Sequence, residues 1–362
     1  MDINFLKDKI KSIDDPRRTV YGNLRHKLED IIIIGLLSLI SMGEDFVDME
    51  IFGKKRIEWL GTFLELPNGI PDSDTFRRVF ERLNPQKLSE CLNHWLDDAV
   101  AKGKVVNVDG KTIRGSKNDK HKAYHVVSAW IAENQITLGE LKTQEKSNEI
   151  TAVPELLDML DVEGSIITAD AMSCQKAIVA KIKEKQADFV IGLKENQPNL
   201  LLEVEKYFND FLMNTKPVTT LEKDHGRIEK REFRLETNID WLAQKSDWAN
   251  LNSIGTVKST VEKKGVKSSE TRYFISSLTD IKDFAYATRK HWSIENQLHW
   301  CLDVVFREDD ARARKDNSPL NMNVLRKTAL YLLKKVELGR IGLRKKMLKA
   351  ALDLDTLVKI IF

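Results

Sequence analysis

Three carboxylates in this sequence stand where they could share divalent cations. Asp109 in VVNVDGKTIRGS and Asp170 in SIITADAMSCQ each stand at the exit of a predicted β-strand, and Glu295 lies on a predicted amphipathic helix, ATRKHWSIENQLHWCLDVVF. Carboxylate oxygens suit hard cations such as Mg²⁺ and Mn²⁺. Three such groups, each on a rigid element, predict a two-metal site for phosphodiester chemistry.

Each acid also has an ordinary structural explanation. Asp109 begins an Asp-Gly pair, which is typical of a turn. Asp170 follows a run that should be buried, so either a metal or a hydrogen-bonded turn must satisfy its carboxylate. Glu295 shares a helical stripe with bulky core residues, where an ion pair with Arg289 or Arg312 is the alternative to metal ligation.

The other polar residues near the acids carry weaker signals. Asp303 lies two turns after Glu295 on the same stripe and is its main competitor, whereas the acidic residues 308–310 are expected to be solvated. GKTIRGS lacks the Walker spacing, which disfavours nucleotide hydrolysis. Three histidines lack the spacing of a zinc-binding helix motif and are interpreted as packing or phosphate-contacting groups: His225, His291 and His299.

Positive charge is concentrated near the first aspartate, although the net charge of the chain is only +3. The cations of this region are Lys102, Lys104, Lys111, Arg114, Lys117, Lys120 and Lys122. Cations beside an acidic metal site suit an anionic polymer such as a nucleic acid. For the charge run taken alone, a solvated lysine-rich loop is the simpler explanation.

The composition is that of a globular chain, because 42% of its 362 residues are apolar. This length suits about two or three domains. Its isolated cysteines form no CxxC pair, which favours a reducing compartment. The first residues lack the features of a signal peptide, and the apolar stretch 31–40 is too short to span a bilayer. We therefore expect a cytoplasmic protein without a membrane segment.

Residues 1–100 are predicted to form a helical N-terminal domain, because their apolar residues recur at helical spacing. Within it, the segment 72–83 combines N-cap residues with an amphipathic pattern. Its apolar face consists of Phe76, Val79, Phe80 and Leu83. Arg77 and Arg78 lie outside that face, so this helix could dock on DNA, although solvated arginines on a helix are equally common.

Residues 101–198 change to a mixed pattern of strands and helices. Their order is strand, strand, strand, helix, strand, helix, strand, which predicts a mixed sheet with helices on its faces. This is the order of a ribonuclease H-like core. In that topology the first and fourth strands are neighbours, which would bring Asp109 and Asp170 together at one edge of the sheet.

Two further regions complete the predicted organisation. Residues 199–285 have the pattern of an antiparallel, β-rich insertion. Residues 286–362 are predicted to hold the catalytic helix, 286–306, and a helical tail that starts at residue 321. The expected fold class is therefore α/β: a ribonuclease H-like mixed sheet with a β-rich insertion, preceded by a helical N-terminal domain.

Several segments spread over nearly the whole chain resemble those of one known family. They are GIPDSDTFRRVFERLNP, VDGKTIRGS, EKSNEITAVPELL, TADAMSCQ, GLKENQP, HGRIEKR and HWSIENQLHWCLDVVFREDDAR. The family that they resemble, in the same order, is that of bacterial insertion-sequence transposases of the DDE class. Within this class the chain looks most like the branch that includes H-repeat-associated proteins.

This resemblance implies a ribonuclease H-like catalytic core with two Mg²⁺ ions, for which Mn²⁺ substitutes. The acids that would hold the ions fall on Asp109, Asp170 and Glu295. Related transposases carry a Tyr, Arg, Glu, Lys signature around the glutamate. Tyr286 and Arg289 match that signature in part, whereas a leucine occupies its lysine position.

The activity implied by the resemblance is the cutting and joining of the element's terminal inverted repeats in double-stranded DNA, by a homodimer at the nucleoid. Candidate DNA contacts are Lys111, Arg114, Lys194, Arg289, Arg77 and Arg78. Two alternatives stay open. One is a domesticated or decayed protein that binds DNA without cutting it, and the other is a structure-selective nuclease on the same core.

Overall fold

The computed structural model describes residues 3–17, 24–96, 99–119, 122–143, 149–211, 216–224 and 226–362. Two residues named above, Lys120 and His225, lie outside these ranges. The N-terminal part is helical, as predicted. Its helices are α1 (Ile3–Ile10), α2 (Leu28–Ile40), α3 (Phe46–Lys55), α4 (Ile57–Leu60), α5 (Ser73–Arg82) and α6 (Pro85–Trp95).

Helices α2 and α5 show how the sequence directs this part of the fold. Every residue of α2 is buried, because apolar side chains surround its axis. Helix α5 begins where Asp72 accepts a hydrogen bond of 2.7 Å from the backbone N–H of Thr75. The apolar face predicted for the segment 72–83 is confirmed, since all four of its side chains are fully buried.

A mixed sheet occupies the centre of the described fold. Its strands are β1 (Val105–Ile113), β2 (Tyr124–Ile131), β3 (Ile136–Thr143), β4 (Ile166–Ala169), β5 (Asp188–Leu193), β6 (Val218–Asp224), β7 (Arg227–Glu236), β8 (Ser253–Lys263) and β9 (Val266–Ser276). Their spatial order is β3-β2-β1-β4-β5-β9-β8-β7-β6. Strands β1, β4 and β5 run parallel to one another, and the other neighbours are antiparallel.

The predicted order of the ribonuclease H-like core is confirmed. Helix α7 (Glu149–Asp158) lies between β3 and β4 in the chain, and α8 (Lys176–Glu184) lies between β4 and β5. The first and fourth strands are neighbours, as the prediction required. Parallel strands need such crossover connections, which place helices on the faces of the sheet.

Strand β1 is longer than the sequence suggested, so Asp109 lies within it rather than at its exit. The Asp-Gly pair forms no turn because β2 pairs with β1 along this whole stretch, with Asp109 opposite Ser128 and Gly110 opposite Val127. The glycine is needed for another reason. A Cβ atom at position 110 would lie 2.5 Å from Nε2 of His125.

The insertion is not purely β, and its strands continue the central sheet. It opens with helix α9 (Pro198–Phe211), whose apolar residues Leu200, Val204 and Phe208 are buried at helical spacing. Strand β9 then pairs antiparallel with β5, from Val190 opposite Ser276 to Leu193 opposite Tyr273. The insertion is therefore joined to the core through hydrogen bonds between strands.

The C-terminal helices begin earlier than predicted. Helix α10 (Ile281–His291) starts five residues before the expected position 286, because Asp280 caps it by accepting from the backbone N–H of Lys282 at 2.6 Å. The helices after it are α11 (Ser318–Lys335), α12 (Leu343–Leu352) and α13 (Leu354–Ile361). Among the described helices, none is long and apolar enough to cross a membrane.

Helix α11 is a central element and not a peripheral tail. Its residues from Ser318 to Leu333 are buried, and it packs against α2, α5, α6 and β3. The amide of Asn321 donates to the backbone carbonyls of Phe80, at 2.8 Å, and Leu83, at 2.9 Å. Most of the buried apolar residues of the N-terminal helices, the sheet and the C-terminal helices form one contiguous core, and a small second cluster joins Ile113, Val126 and Leu320.

Candidate metal centre

The register of two parallel strands places Asp109 beside Asp170. The pairing of β1 with β4 ends where Val108 lies opposite Ala169. Asp109 directly follows Val108 in the sequence, and Asp170 directly follows Ala169. After Asp170 the backbone forms a short 3₁₀ turn. The Oδ1 atom of Asp170 accepts from the backbone N–H groups at the start of that turn, at 3.0 and 3.3 Å, so a hydrogen-bonded turn does hold this acid.

The surroundings of Asp109 disfavour the negatively charged form of its carboxyl group. Its side chain is 19% exposed, and its Oδ1 atom accepts a hydrogen bond of 2.9 Å from the N–H of Gly110. Burial, together with the charges of Asp170, Glu295 and Glu149, raises the pKa of Asp109 to about 7. An acid in this state gains from any cation that enters the cluster.

Glu295 lies on a distorted helical segment that follows α10. The backbone is π-helical over Glu295–His299 and again over Cys301–Val305, and such wide turns rotate the side chains that follow them. Glu295 is not packed in the core as its stripe suggested, because its side chain is 66% exposed. The alternative of an ion pair between Glu295 and Arg289 is also wrong, since Arg289 instead forms an ion pair with Glu222, at 2.5 Å.

The third member of the cluster is His299, which the sequence led us to interpret as a packing or phosphate-contacting group. His299 is only 6% exposed. Its Nδ1 atom lies 3.6 Å from Oδ2 of Asp109 and 3.9 Å from Oε2 of Glu295. Ligand atoms of these three residues all lie within 4.8 Å of one another. The i, i+4 spacing from Glu295 is the sequence signal that could have identified it.

Burial, assisted by the positive charges of Lys327 and Lys111, lowers the pKa of His299 to about 3. The imidazole is therefore neutral at physiological pH, which is the form that binds metals. Asp170 lies next to this three-residue cluster and acts on it through its charge.

A buried ion cluster supports the segment that carries Glu295 and His299. The ammonium of Lys111 lies 2.7 Å from Asp303 and 2.8 Å from Glu308. Glu308 also accepts from the amide of Asn323, at 2.8 Å. The prediction that residue 308 is solvated is wrong, because the backbone turns at Arg307 and directs the next side chain into the protein, where it is fully buried.

The charges of this cluster offset one another. Burial acts to raise the pKa of Glu308, but the cations Lys111 and Arg326 outweigh it and lower that pKa. Asp303, the competitor of Glu295, is likewise bound to Lys111. Both acids therefore connect β1 to the chain after His299, Asp303 from within the second π-helical turn and Glu308 from beyond it.

The candidate DNA contacts differ in how far they are free to meet a ligand. Lys111 is buried between two carboxylates, and Arg77 is bound to Asp74 and Glu81. Lys194 is exposed at a cavity that Asp170 also lines. Two further candidates, both with exposed guanidinium groups, make long ion pairs of 3.5 Å. They are Arg78, with Asp74, and Arg114, with Asp309.

Two cavities lie along the strands of the insertion, and one of them reaches Asp170. The cavity beside Asp170, of about 330 Å³, is also lined by Lys194 and Arg272. A larger one, of about 590 Å³, lies over β7, β8 and β9 and contains Arg231. Trp292 lines both cavities. The guanidinium of Arg272 lies 4.0 Å from the centre of the Trp292 ring. Arginines interleaved with an aromatic ring suit a nucleic-acid strand.

Comparison with known sequences identifies related proteins. Residues 101–332 match the family described as "Transposase DDE domain", and residues 7–96 match the region described as "DDE_Tnp_1-associated". "Putative transposase YncI" of Escherichia coli O157:H7 is 38% identical over 366 residues, which cover 98% of this chain and 93% of that protein. "H repeat-associated putative transposase YhhI" of Escherichia coli strain K12 is 37% identical over 378 residues, covering 100% and 98%.

A shorter relative is similar to only part of the chain. "Inactive transposase YbfQ" of Escherichia coli strain K12 is 33% identical over 79 residues, which cover 22% of this chain and 92% of that protein.

Proposed function

The chain belongs to the family of transposases with a DDE domain, and we propose that it cuts the ends of its own DNA element and joins them to target DNA. The proposed site consists of Asp109, Asp170 and Glu295. The observation that supports this proposal is that Asp109 lies close to two other acids from separate elements. Asp170 directly follows the neighbouring parallel strand at the level of Asp109, and Glu295 comes within 4.8 Å of Asp109 from the segment after α10.

These residues fit divalent cations. The raised pKa of Asp109 reflects its burial and the negative charge of the acids around it. Lys111, two residues away on β1, is bound to Asp303 and Glu308. Oxygen donors of this kind suit Mg²⁺ and Mn²⁺.

In the proposed mechanism Asp109 would hold both ions, with Asp170 and Glu295 each completing one site. When bound, such a pair of ions activates water or a DNA 3′-hydroxyl and stabilises the leaving oxygen. The protein's own part is to hold the three carboxylates on separate, packed elements, so that little rearrangement accompanies the reaction.

The cations around the acids would position the DNA backbone. Lys194 and Arg114 have exposed side chains and would contact phosphate directly. Arg289 would first exchange Glu222 for a phosphate. Arg78, on α5, would add a contact from the helical N-terminal region. We further propose that two copies of the protein join the two ends of the element, and that the protein acts at the nucleoid.

A strand-transfer assay tests this proposal. The full chain is incubated with Mg²⁺ or Mn²⁺, a labelled duplex bearing the sequences that flank its gene, and a supercoiled target plasmid. We expect labelled ends covalently joined to the plasmid, and none in EDTA or with Asp109→Asn. The exposed acid Asp283 on α10 provides a matched control, and Asp283→Asn should join ends as the wild type does.

Two other results would point elsewhere. Cutting without joining would favour the structure-selective nuclease. Binding of the ends without cutting would favour a silent DNA-binding protein, a possibility suggested by the name of the partial relative "Inactive transposase YbfQ". Either result, obtained with both ends present, contradicts the proposed function.

A further inference from the structure

We propose that His299 is itself a ligand of the metal ion held between Asp109 and Glu295, which makes this a mixed nitrogen and oxygen site. The inference rests on the proposed function in placing a metal ion at the acids. It goes beyond that function because it assigns a ligand outside the three acids and changes the preferred ion.

The position of the ring is the first observation. Nδ1 of His299 faces two carboxylates, at 3.6 Å from Asp109 and 3.9 Å from Glu295. Both distances exceed those of an ordinary hydrogen bond. They match the separation of two ligands on one ion, since bonds of roughly 2.1–2.3 Å set at about a right angle place ligand atoms about 3 Å or more apart.

The absence of other partners for the ring is the second observation. Within the described residues, neither nitrogen of His299 makes a hydrogen bond, although Nε2 is buried. Burying a polar ring without a partner costs stability. A metal bound at Nδ1 would give the ring a partner on the side that faces the acids, while Nε2 would still have none among the described residues.

Two other histidines of the same fold show the ordinary arrangement. His125 is buried with both ring nitrogens engaged, Nδ1 with Thr112 at 2.9 Å and Nε2 with Glu149 at 2.5 Å. His291, at the end of α10, has Nδ1 at 3.1 Å from the hydroxyl of Thr168. Packing alone therefore does not explain a histidine whose ring points at two acids without bonding to either.

A nitrogen ligand changes which ion the site prefers. Imidazole binds transition-metal ions well, whereas Mg²⁺ prefers oxygen ligands. With His299 in place, the site should bind Mn²⁺ more tightly than Mg²⁺. Without His299, two carboxylates would remain at this position and the preference for Mn²⁺ should shrink.

Pulsed electron paramagnetic resonance of Mn²⁺ bound to the full chain tests this inference without an activity assay. The wild type should show the modulation of a directly bound nitrogen. Labelling the protein with ¹⁵N-histidine should change that modulation, which identifies the residue type without any substitution. In His299→Gln the nitrogen signal should disappear, and Mn²⁺ should bind at least about tenfold more weakly.

His291→Gln is the matched control, because it removes a ring that is bonded to Thr168. This variant should keep the nitrogen signal. Bound Mn²⁺ that depends on Asp109 but shows no nitrogen signal in the wild type would overturn this inference alone. A nitrogen signal that persists in His299→Gln would do the same. Failure of Mn²⁺ to bind, or binding that is unchanged in Asp109→Asn, would overturn both the inference and the proposed function.

Discussion

At the scale of residues, the raised pKa of Asp109 makes the stability of the folded protein depend on pH. Its pKa is about 7 in the folded protein, above the ordinary value of 3.8, because it is buried among other acids. The folded protein therefore binds this proton more tightly than the unfolded chain. This contribution to stability is complete below about pH 4 and is lost as the pH rises through about 7.

Replacing Asp109 with asparagine should therefore stabilise the metal-free protein, and more so at high pH. Each pKa unit corresponds to about 1.4 kcal/mol. The gain in the free energy of unfolding should then be about 2–3 kcal/mol larger at pH 8 than at pH 5. Urea denaturation in EDTA at the two pH values measures it. A gain that is the same at both would show that Asp109 titrates normally.

At the scale of residues, the sequence identified the acids but not their partners. Asp109 and Asp170 were visible because each follows a run of strand-forming residues. His299 was interpreted as a packing or phosphate-contacting group, because its approach to Asp109 depends on how the segment after α10 packs against β1. The burial of Glu308 was missed for a similar reason, since its partners Lys111 and Arg326 are distant in the chain.

At the scale of elements, the packing around β1 requires a glycine at position 110, next to Asp109. A Cβ atom on Gly110 would collide with the bonded pair of His125 and Glu149. Gly110→Ala should therefore lower the free energy of unfolding by about 1–3 kcal/mol, as overpacking does. Gly342→Ala is the control, since its Cβ would meet no atom within 4 Å. Equal stability of these two variants would contradict the close packing around β1.

The segment that carries Glu295 and His299 is held to β1 by the buried cluster around Lys111. Lys111→Met would leave Glu308 buried with one fewer cation, which should cost about 3–5 kcal/mol of folding free energy. Lys54→Met is the control, because it breaks an exposed ion pair with Glu50 and should cost less than about 1 kcal/mol. Chemical denaturation compares the two. Similar losses of folding free energy in the two variants would show that the cluster around Lys111 does not stabilise the packing of this segment against β1.

The sequence predicted which elements form better than it predicted their distortions. The apolar face of α5 follows directly from the spacing of its residues. The π-helical turns at Glu295–His299 and Cys301–Val305 have no comparable signal, because a local pattern of 3.6 residues per turn fits them almost as well.

At the scale of the whole molecule, the order of the elements was enough to predict the core. Three strands followed by alternating helices and strands leave few topologies, and the one found places β1 beside β4. The central position of α11 could not be predicted in this way. Its contacts with α2 and α5 join parts of the chain that are far apart in sequence.

The most direct test of the account is the rate of the first nick at an element end under single-turnover conditions. It is measured in Mg²⁺ with paired ends for the wild type and for Asp109→Asn, Asp170→Asn and Glu295→Gln. Each substitution should slow nicking by roughly a thousandfold or more, since several kilocalories per mole of charge stabilisation depend on the ions. DNA binding should stay within about tenfold of the wild type. Nicking by Asp109→Asn at the wild-type rate would contradict the central claim.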